Sequence, residues 1–229
     1  MENKQNCWMY DRCNHIDCNS FCLKKYKLDY LFDEALISKE QRKHIVLRLD
    51  KDRSDINPFD VLKNISNNIV DFINNGNNLY IHSSNTGNGK TSWALRLIQE
   101  YFNSIWLSTK LECKALYIHV PRFLIELKSD IDKKSEYIAH IKENVLNCDV
   151  VIWDDIGTKT VTSFEFENLM SIINTRMDNN KSNIFTSNLN DIELHEVLGD
   201  RLYSRIINNS TNIEFKGADK RGLKGDNYK

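Results

Sequence analysis

The stretch "SSNTGNGKT", residues 83–91, constrains this chain more than any other. Gly87 and Gly89 let the backbone turn sharply, so that successive N–H groups point into one concavity. The apolar run "NLYIHSS" precedes it, and "SWALRLIQEYFNSIW", with apolar residues at helical spacing, follows. A loop between a strand and a helix sets its donors at a helix N-terminus, where the backbone's partial positive charge favours an anion. Asn85, Thr86, Gly87, Asn88 and Gly89 are then expected to wrap phosphate, with Lys90 reaching the β- and γ-phosphates of a nucleotide and Thr91 offering a hydroxyl to Mg²⁺. Ser84 stands where the usual pattern has its first glycine. It removes no phosphate ligand, and costs strain only if that position needs positive φ.

The rest of the chain supports such a loop. From Pro58 onward, short apolar runs ("ALYIHV", "DVVIW", "NIFTS", "TNIEF") alternate with helical patterns ("FDVLKNISNNIVDFINNG", "RFLIELKS", "SEYIAHIKENVLN", "SFEFENLMSIINTRMDNN", "DIELHEVLGDRLYSRIIN"). That alternation predicts an α/β fold with a mostly parallel sheet covered by helices on both faces. Ser163 is the expected cap of its helix, and "DIELHEVLGDRLYSRIIN" is expected to form one or two helices. With 229 residues, the chain can hold one good-sized core and a small appendage. No run of about 18 apolar residues predicts a membrane span. The N-terminus lacks a secretion signal, so a cytoplasmic location is expected. The net charge of −1 gives no general attraction to nucleic acid, so any such contact needs a local basic patch.

Four further stretches carry chemistry. "DVVIWDDIG" ends a buried run in two aspartates, at the strand end where open parallel sheets bind ligands. Asp154 is placed to hold Mg²⁺, and Asp155 to orient and deprotonate an attacking water. Asn188, after "NIFTS", can position that water. Arg201 and Arg205 are four apart and share a helix face. One of them can project into a neighbouring subunit's nucleotide as an arginine finger. Arg221, in the basic tail "FKGADKRGLKGDNYK", can fold back onto the phosphates of its own subunit.

Residues 1–50 read as a separate, cysteine-rich module, and 51–229 as the nucleotide-binding domain. Cys7, Cys13, Cys18 and Cys22 crowd the first tenth of the chain, with His15 among them. Four thiolates can close a tetrahedral Zn²⁺ site in a segment too short for a large core of its own, and His15 can replace Cys13 or Cys18. An iron–sulfur cluster and plain reduced thiols are the alternatives. Cys113 and Cys148 read as small core residues. His44, His82, His119, His140 and His195 read as structural or surface.

"GNGKT", "VVIWDDIG", "FTSNLN", "LGDRLYSRI" and "FKGADKRG", in this order, resemble the helicase loaders of DnaC/DnaI type, within the AAA+ ATPases. The transposition helper ATPases of IstB type are close relatives. The resemblance covers about residues 57–225. It implies an AAA+ P-loop domain with a reduced lid. It also implies a Mg²⁺-dependent ATPase that self-oligomerises, binds single-stranded DNA and delivers a replicative ring helicase to it. It gives Asn188 and Arg221 the two sensor roles, favours Arg205 over Arg201 as the finger, and makes Asp155 the catalytic acid where the family often has Glu. The segment "PRFLIELKSDIDKKSEY", with Arg122, Lys128, Lys133 and Lys134, would face DNA, and the N-terminal module would contact the helicase. The alternatives are an IstB-like transposition helper, and a zinc-containing adaptor that holds nucleotide as a switch and hydrolyses little.

Metal analysis of the purified full chain tests the cysteine reading. About one equivalent of zinc is expected, and a folded protein without metal would overturn it.

Overall fold

A computed structural model describes residues 22–42, 54–158 and 161–219. Thirteen elements follow in order: α1 (Leu23–Glu34), α2 (Ile56–Asn67), α3 (Ile69–Asn74), β1 (Asn78–His82), α4 (Lys90–Ile105), β2 (Ala115–His119), α5 (Val120–Ser129), α6 (Glu136–Asn144), β3 (Val150–Asp154), α7 (Ser163–Asp178), β4 (Ser182–Ser187), α8 (Asp191–Asn208) and β5 (Ser210–Glu214). The five strands form one parallel sheet in the order β2-β3-β4-β1-β5. Among the described residues, no helix is long and apolar enough to cross a membrane.

Strand periodicity builds three layers. Side chains alternate across a sheet, so each strand feeds two cores. Leu79, Ile81, Val150, Ile152 and Ile184 join α1–α4 on one face. Tyr80, Val151, Trp153 and Phe185 join α5–α8 on the other. The strands are apolar on both sides for that reason.

Local signals set the helix ends, with some corrections to the sequence reading. α7 is capped by Thr162 and not by Ser163: the Thr162 hydroxyl accepts from Glu165 N–H while the Glu165 carboxylate accepts from Thr162 N–H. Residues 56–74 form two helices with a break at Asn68, and Pro58 falls within the first turn of α2. Pro121 likewise opens α5 directly after β2; a first-turn proline forgoes no helical hydrogen bond. Within α8, Gly199 has φ 70° and ψ 162° and splits the helix at a kink. No bulky residue adopts that backbone cheaply.

α1 and the turn after it pack into the core on one face of the sheet. Leu28, Leu31, Phe32 and Ile37 lie in the same core as α4, and Phe32 meets Phe102 edge-on with centroids 5.0 Å apart. Tyr117 N–H donates to Ala35 O at 2.8 Å, and His140 Nε2 lies 2.8 Å from Glu34 O. Of the cysteine cluster, Cys22 is described: its sulfur accepts from Lys25 N–H at the start of α1. Cys7, Cys13, Cys18 and His15 lie outside the described residues, as does the expected zinc site. Cys148 is buried, as expected of a core residue, and Cys113 is half-buried.

The fully buried Arg176 guanidinium is satisfied by Val145 O, Cys148 O, Ser182 O and Asn183 Oδ1. This network joins α7 to the start of β4 and to the loop before β3, and it meets the rule that buried charge needs full hydrogen bonding.

Because Phe32 is buried in that core, Phe32→Ala should cost about 3–5 kcal/mol of stability. A chemical-denaturation midpoint should fall with an unchanged slope. A separate early transition, leaving the main one in place, would show that α1 belongs to an independent module.

Candidate functional site

β1 and β3 lie on either side of β4, and all three run parallel. Their C-terminal ends therefore open on one edge of the sheet, where loops can hold ligands. The loop after β1 runs into α4, which starts at Lys90. Gly87 and Gly89 have φ of 71° and 107°. Gly89 is the N-cap of α4 and no side chain caps that helix, which leaves its first-turn N–H groups facing the loop. Ser84 is not among the residues with positive φ, so a serine there costs no backbone strain.

Lys90 is 5% exposed, and its ammonium donates to Asn85 O at 2.8 Å and to Asn88 Oδ1 at 3.1 Å. Asn88 Nδ2 in turn donates to Ser83 Oγ. The loop thus folds around its own lysine.

Asp154 ends β3 and joins three elements. Its Oδ1 accepts from Thr91 Oγ1 at 2.8 Å and from Thr186 Oγ1 at 2.8 Å. Its Oδ2 accepts from Tyr117 Oη at 2.7 Å. The next residue, Asp155, has φ 58°, an uncommon backbone for a non-glycine residue and one that clusters at functional sites. Its N–H donates to Thr186 Oγ1 at 3.0 Å, which holds the turn. Its carboxylate accepts from Asn188 Nδ2 at 2.7 Å and lies 3.6 Å from His119 Nε2. Burial, with the adjacent Asp154 charge, pushes the Asp155 carboxyl above the usual carboxylate range.

The structure therefore brings together Lys90, Thr91, Asp154, Asp155 and Asn188, all expected from sequence. It adds three residues that the sequence reading passed over. Thr186 and Tyr117 were hidden in buried strand runs. His119, read as structural or surface, instead lies beside Asp155. Its signal was positional: it ends β2 in register with Asp154.

The donor set fits a magnesium nucleotide. Asp154 and Asp155 offer carboxylate oxygens within 4.8 Å of each other, with the His119 ring nitrogen beside them, and the oxygens suit Mg²⁺. The uncapped start of α4 and the buried ammonium suit phosphate oxygens.

The arginines stand apart. Arg201 and Arg205 line an open recess between α7 and α8, with Met170, Asn174 and Asp178. Arg205 is paired with Asp178, and Arg201 is exposed. Arg221 lies outside the described residues. Arg122, Lys128, Lys133 and Lys134 are exposed on α5 and the loop to α6, where Arg122 stacks on Tyr137 at 4.3 Å.

A model of the family described as IstB-like ATP binding proteins matches residues 24–224. Solved structures share the AAA+ fold. The DnaC helicase loader is 20% identical, with a TM-score of 0.61 over 74% of this chain and 93% of that one. A candidate primosome component from Streptococcus pyogenes serotype M3 is 22% identical, with a TM-score of 0.59 over 84% and 98%. The replication initiator DnaA bound to AMPPCP and single-stranded DNA is 16% identical, with a TM-score of 0.56 over 82% of this chain and half of that one. No curated protein matches the chain.

Thr186→Val keeps the shape of the side chain but removes both its bond to Asp154 and its acceptor for Asp155 N–H. A stability loss of about 1–3 kcal/mol is expected, with Mg²⁺-dependent nucleotide binding weakened about tenfold. Thermal melting and a fluorescent-nucleotide titration measure the two. Parent-like affinity in the variant would show that Thr186 does not set the site.

Proposed function

The chain belongs to the family of IstB-like ATP binding proteins, and from that premise we propose that it is a Mg²⁺-dependent ATPase that loads a replicative ring helicase onto single-stranded DNA. The observation that carries the ATPase reading is the Thr91–Asp154 hydrogen bond beside the Lys90 loop. It brings the Lys90 loop and the Asp154 carboxylate together at one strand edge, which supports a phosphate cradle beside a metal-side acid. The fold shared with a DnaC helicase loader, and with a DnaA that binds AMPPCP and single-stranded DNA, supports the replication reading.

The chemistry follows from the residues. Lys90 leaves Asn85 O and Asn88 Oδ1 to bind the β- and γ-phosphates, while the α4 N–H groups hold their oxygens. Asp154, with the Thr91 hydroxyl, would hold Mg²⁺, whose chemistry is to neutralise charge between the phosphates. Asn188, already bonded to Asp155, orients a water in line with the γ-phosphate, and Asp155 accepts the proton that the water loses. A carboxyl with a raised pKa is a better proton acceptor once ionised. Arg205 of a neighbouring subunit would leave Asp178 to stabilise the charge that develops on the transferring group, with Arg201 as the alternative donor. Arg221 would reach the same phosphates from within its own subunit. Arg122, Lys128, Lys133 and Lys134 would meet DNA phosphates, and the cysteine-rich N-terminal segment, with Zn²⁺ on Cys7, Cys13, Cys18 and Cys22, would contact the helicase. The family match also favours a second reading, a transposition helper of IstB type.

Single-turnover hydrolysis with and without single-stranded DNA tests the enzyme reading. Lys90→Ala should lower the rate at least about 100-fold, and parent-rate hydrolysis in that variant would sink it. Capture of a hexameric helicase by the full chain supports the loader, whereas capture of a transposase alone supports the second reading.

A further inference from the structure

A second cluster of polar contacts, buried at Asp55 and solvent-exposed at Asn85, touches the loop before α4 from the β5 side of the sheet. Asp55 precedes α2 as its N-cap, yet its side chain makes no capping bond to that helix. An aspartate in this position ordinarily caps its own helix. Here the carboxylate is fully buried and turned elsewhere. Its Oδ1 accepts from Lys216 N–H at 2.7 Å and from Gly217 N–H at 3.0 Å, more than 160 residues along the chain. Phe215 follows β5 and its N–H continues the ladder onto His82 O at 2.8 Å, and Lys216 and Gly217 come next. The carbonyls of the same two residues accept from Asn85 Nδ2, each at 3.3 Å. Asn85 belongs to the phosphate loop, and its own carbonyl is the acceptor for Lys90 Nζ at 2.8 Å.

We propose that Asp55 is a positioning residue of the nucleotide site: through Lys216, Gly217 and Asn85 it fixes the resting geometry of the phosphate loop that Lys90 depends on. This rests on the ATP-site reading given above. Two N–H donors on one buried carboxylate oxygen make a strong, directional anchor. The anchored backbone presents two carbonyls to one side-chain amide. That amide fixes where Asn85 O stands, and so which way the lysine points before phosphate arrives. A loop held near its binding geometry loses less freedom on binding, which appears as affinity. When Lys90 turns to phosphate it releases Asn85 O, so the segment after β5 is in direct contact with the part of the loop that changes.

Titration of the full chain with a fluorescent Mg²⁺–ATP analogue tests the anchor, with thermal melting alongside. Asp55→Ala and Asn85→Ala should each weaken binding about tenfold. Asp55→Asn, which keeps an oxygen acceptor, should stay within about threefold of the parent. Because both residues act through one backbone segment, the double variant Asp55→Ala/Asn85→Ala should bind no more weakly than the worse single variant. A lowered melting point with parent-like affinity would make Asp55 a merely structural residue and overturn the proposal. Losses that multiply in the double variant would also overturn it. Should Asp55→Ala fail to fold, parent-like affinity in Asn85→Ala overturns it instead. Binding lost in Lys90→Ala but kept in the Asp55 and Asn85 variants sinks the anchor alone. A parent chain that does not bind the analogue sinks the ATP-site reading with it.

Discussion

The site is organised around one carboxylate. Asp154 accepts three hydroxyl hydrogen bonds, from Thr91 at the start of α4, Tyr117 in β2 and Thr186 in β4. These tie a helix start and two strands to the end of β3. A buried, 3% exposed carboxylate is costly unless its oxygens are satisfied, so the three hydroxyls are a condition for leaving a charge at this strand end. Hydroxyls also suit what comes next. Each can rotate and offer a lone pair where it had offered a proton. Thr91 can therefore serve Asp154 in the resting protein and a cation in the loaded one, without moving its backbone.

Asp155 shows the other side of that arrangement. Two carboxylates on consecutive residues repel, and the second is half-buried, so its proton is held more tightly than usual. His119 and Lys90 offset this in part, and Asn188 donates a hydrogen bond to the same carboxylate. Asp155 has a left-handed backbone, and its carboxylate accepts from Asn188. Strain, repulsion and desolvation thus collect at one residue, the place where a proton acceptor would be needed.

Much of this was legible in the sequence, and the reasons are physical. Buried parallel strands must be apolar on both faces, so "DVVIW" and "NIFTS" stood out as continuous runs. The loop before α4 stood out by its glycines and Gly-Lys-Thr, and the Asp154–Asp155 pair by its place at a strand end. Thr186 and Tyr117 did not, because a hydroxyl in a strand run reads as packing until its partner is known. His119 was read as structural or surface, and only the β2–β3 register placed it beside Asp154. The helical spacing of α1 was visible, but its packing against Phe102 depends on a contact about 70 residues away, and composition alone suggested a separate module. Asp55 carried no signal at all, since its partners are backbone N–H groups. The Ser84 question had a local answer: the serine's backbone needs no glycine.

On the reading proposed above, the loop at residues 84–91 and Asp154 form one magnesium–nucleotide site. Calorimetric titration of the full chain with ATP, run with Mg²⁺ and again with excess chelator, measures it most directly. Binding of about one nucleotide per chain, tighter with Mg²⁺ by at least about tenfold, is expected. Absence of ATP binding at millimolar concentration in the folded protein, or affinity indifferent to Mg²⁺, would contradict it.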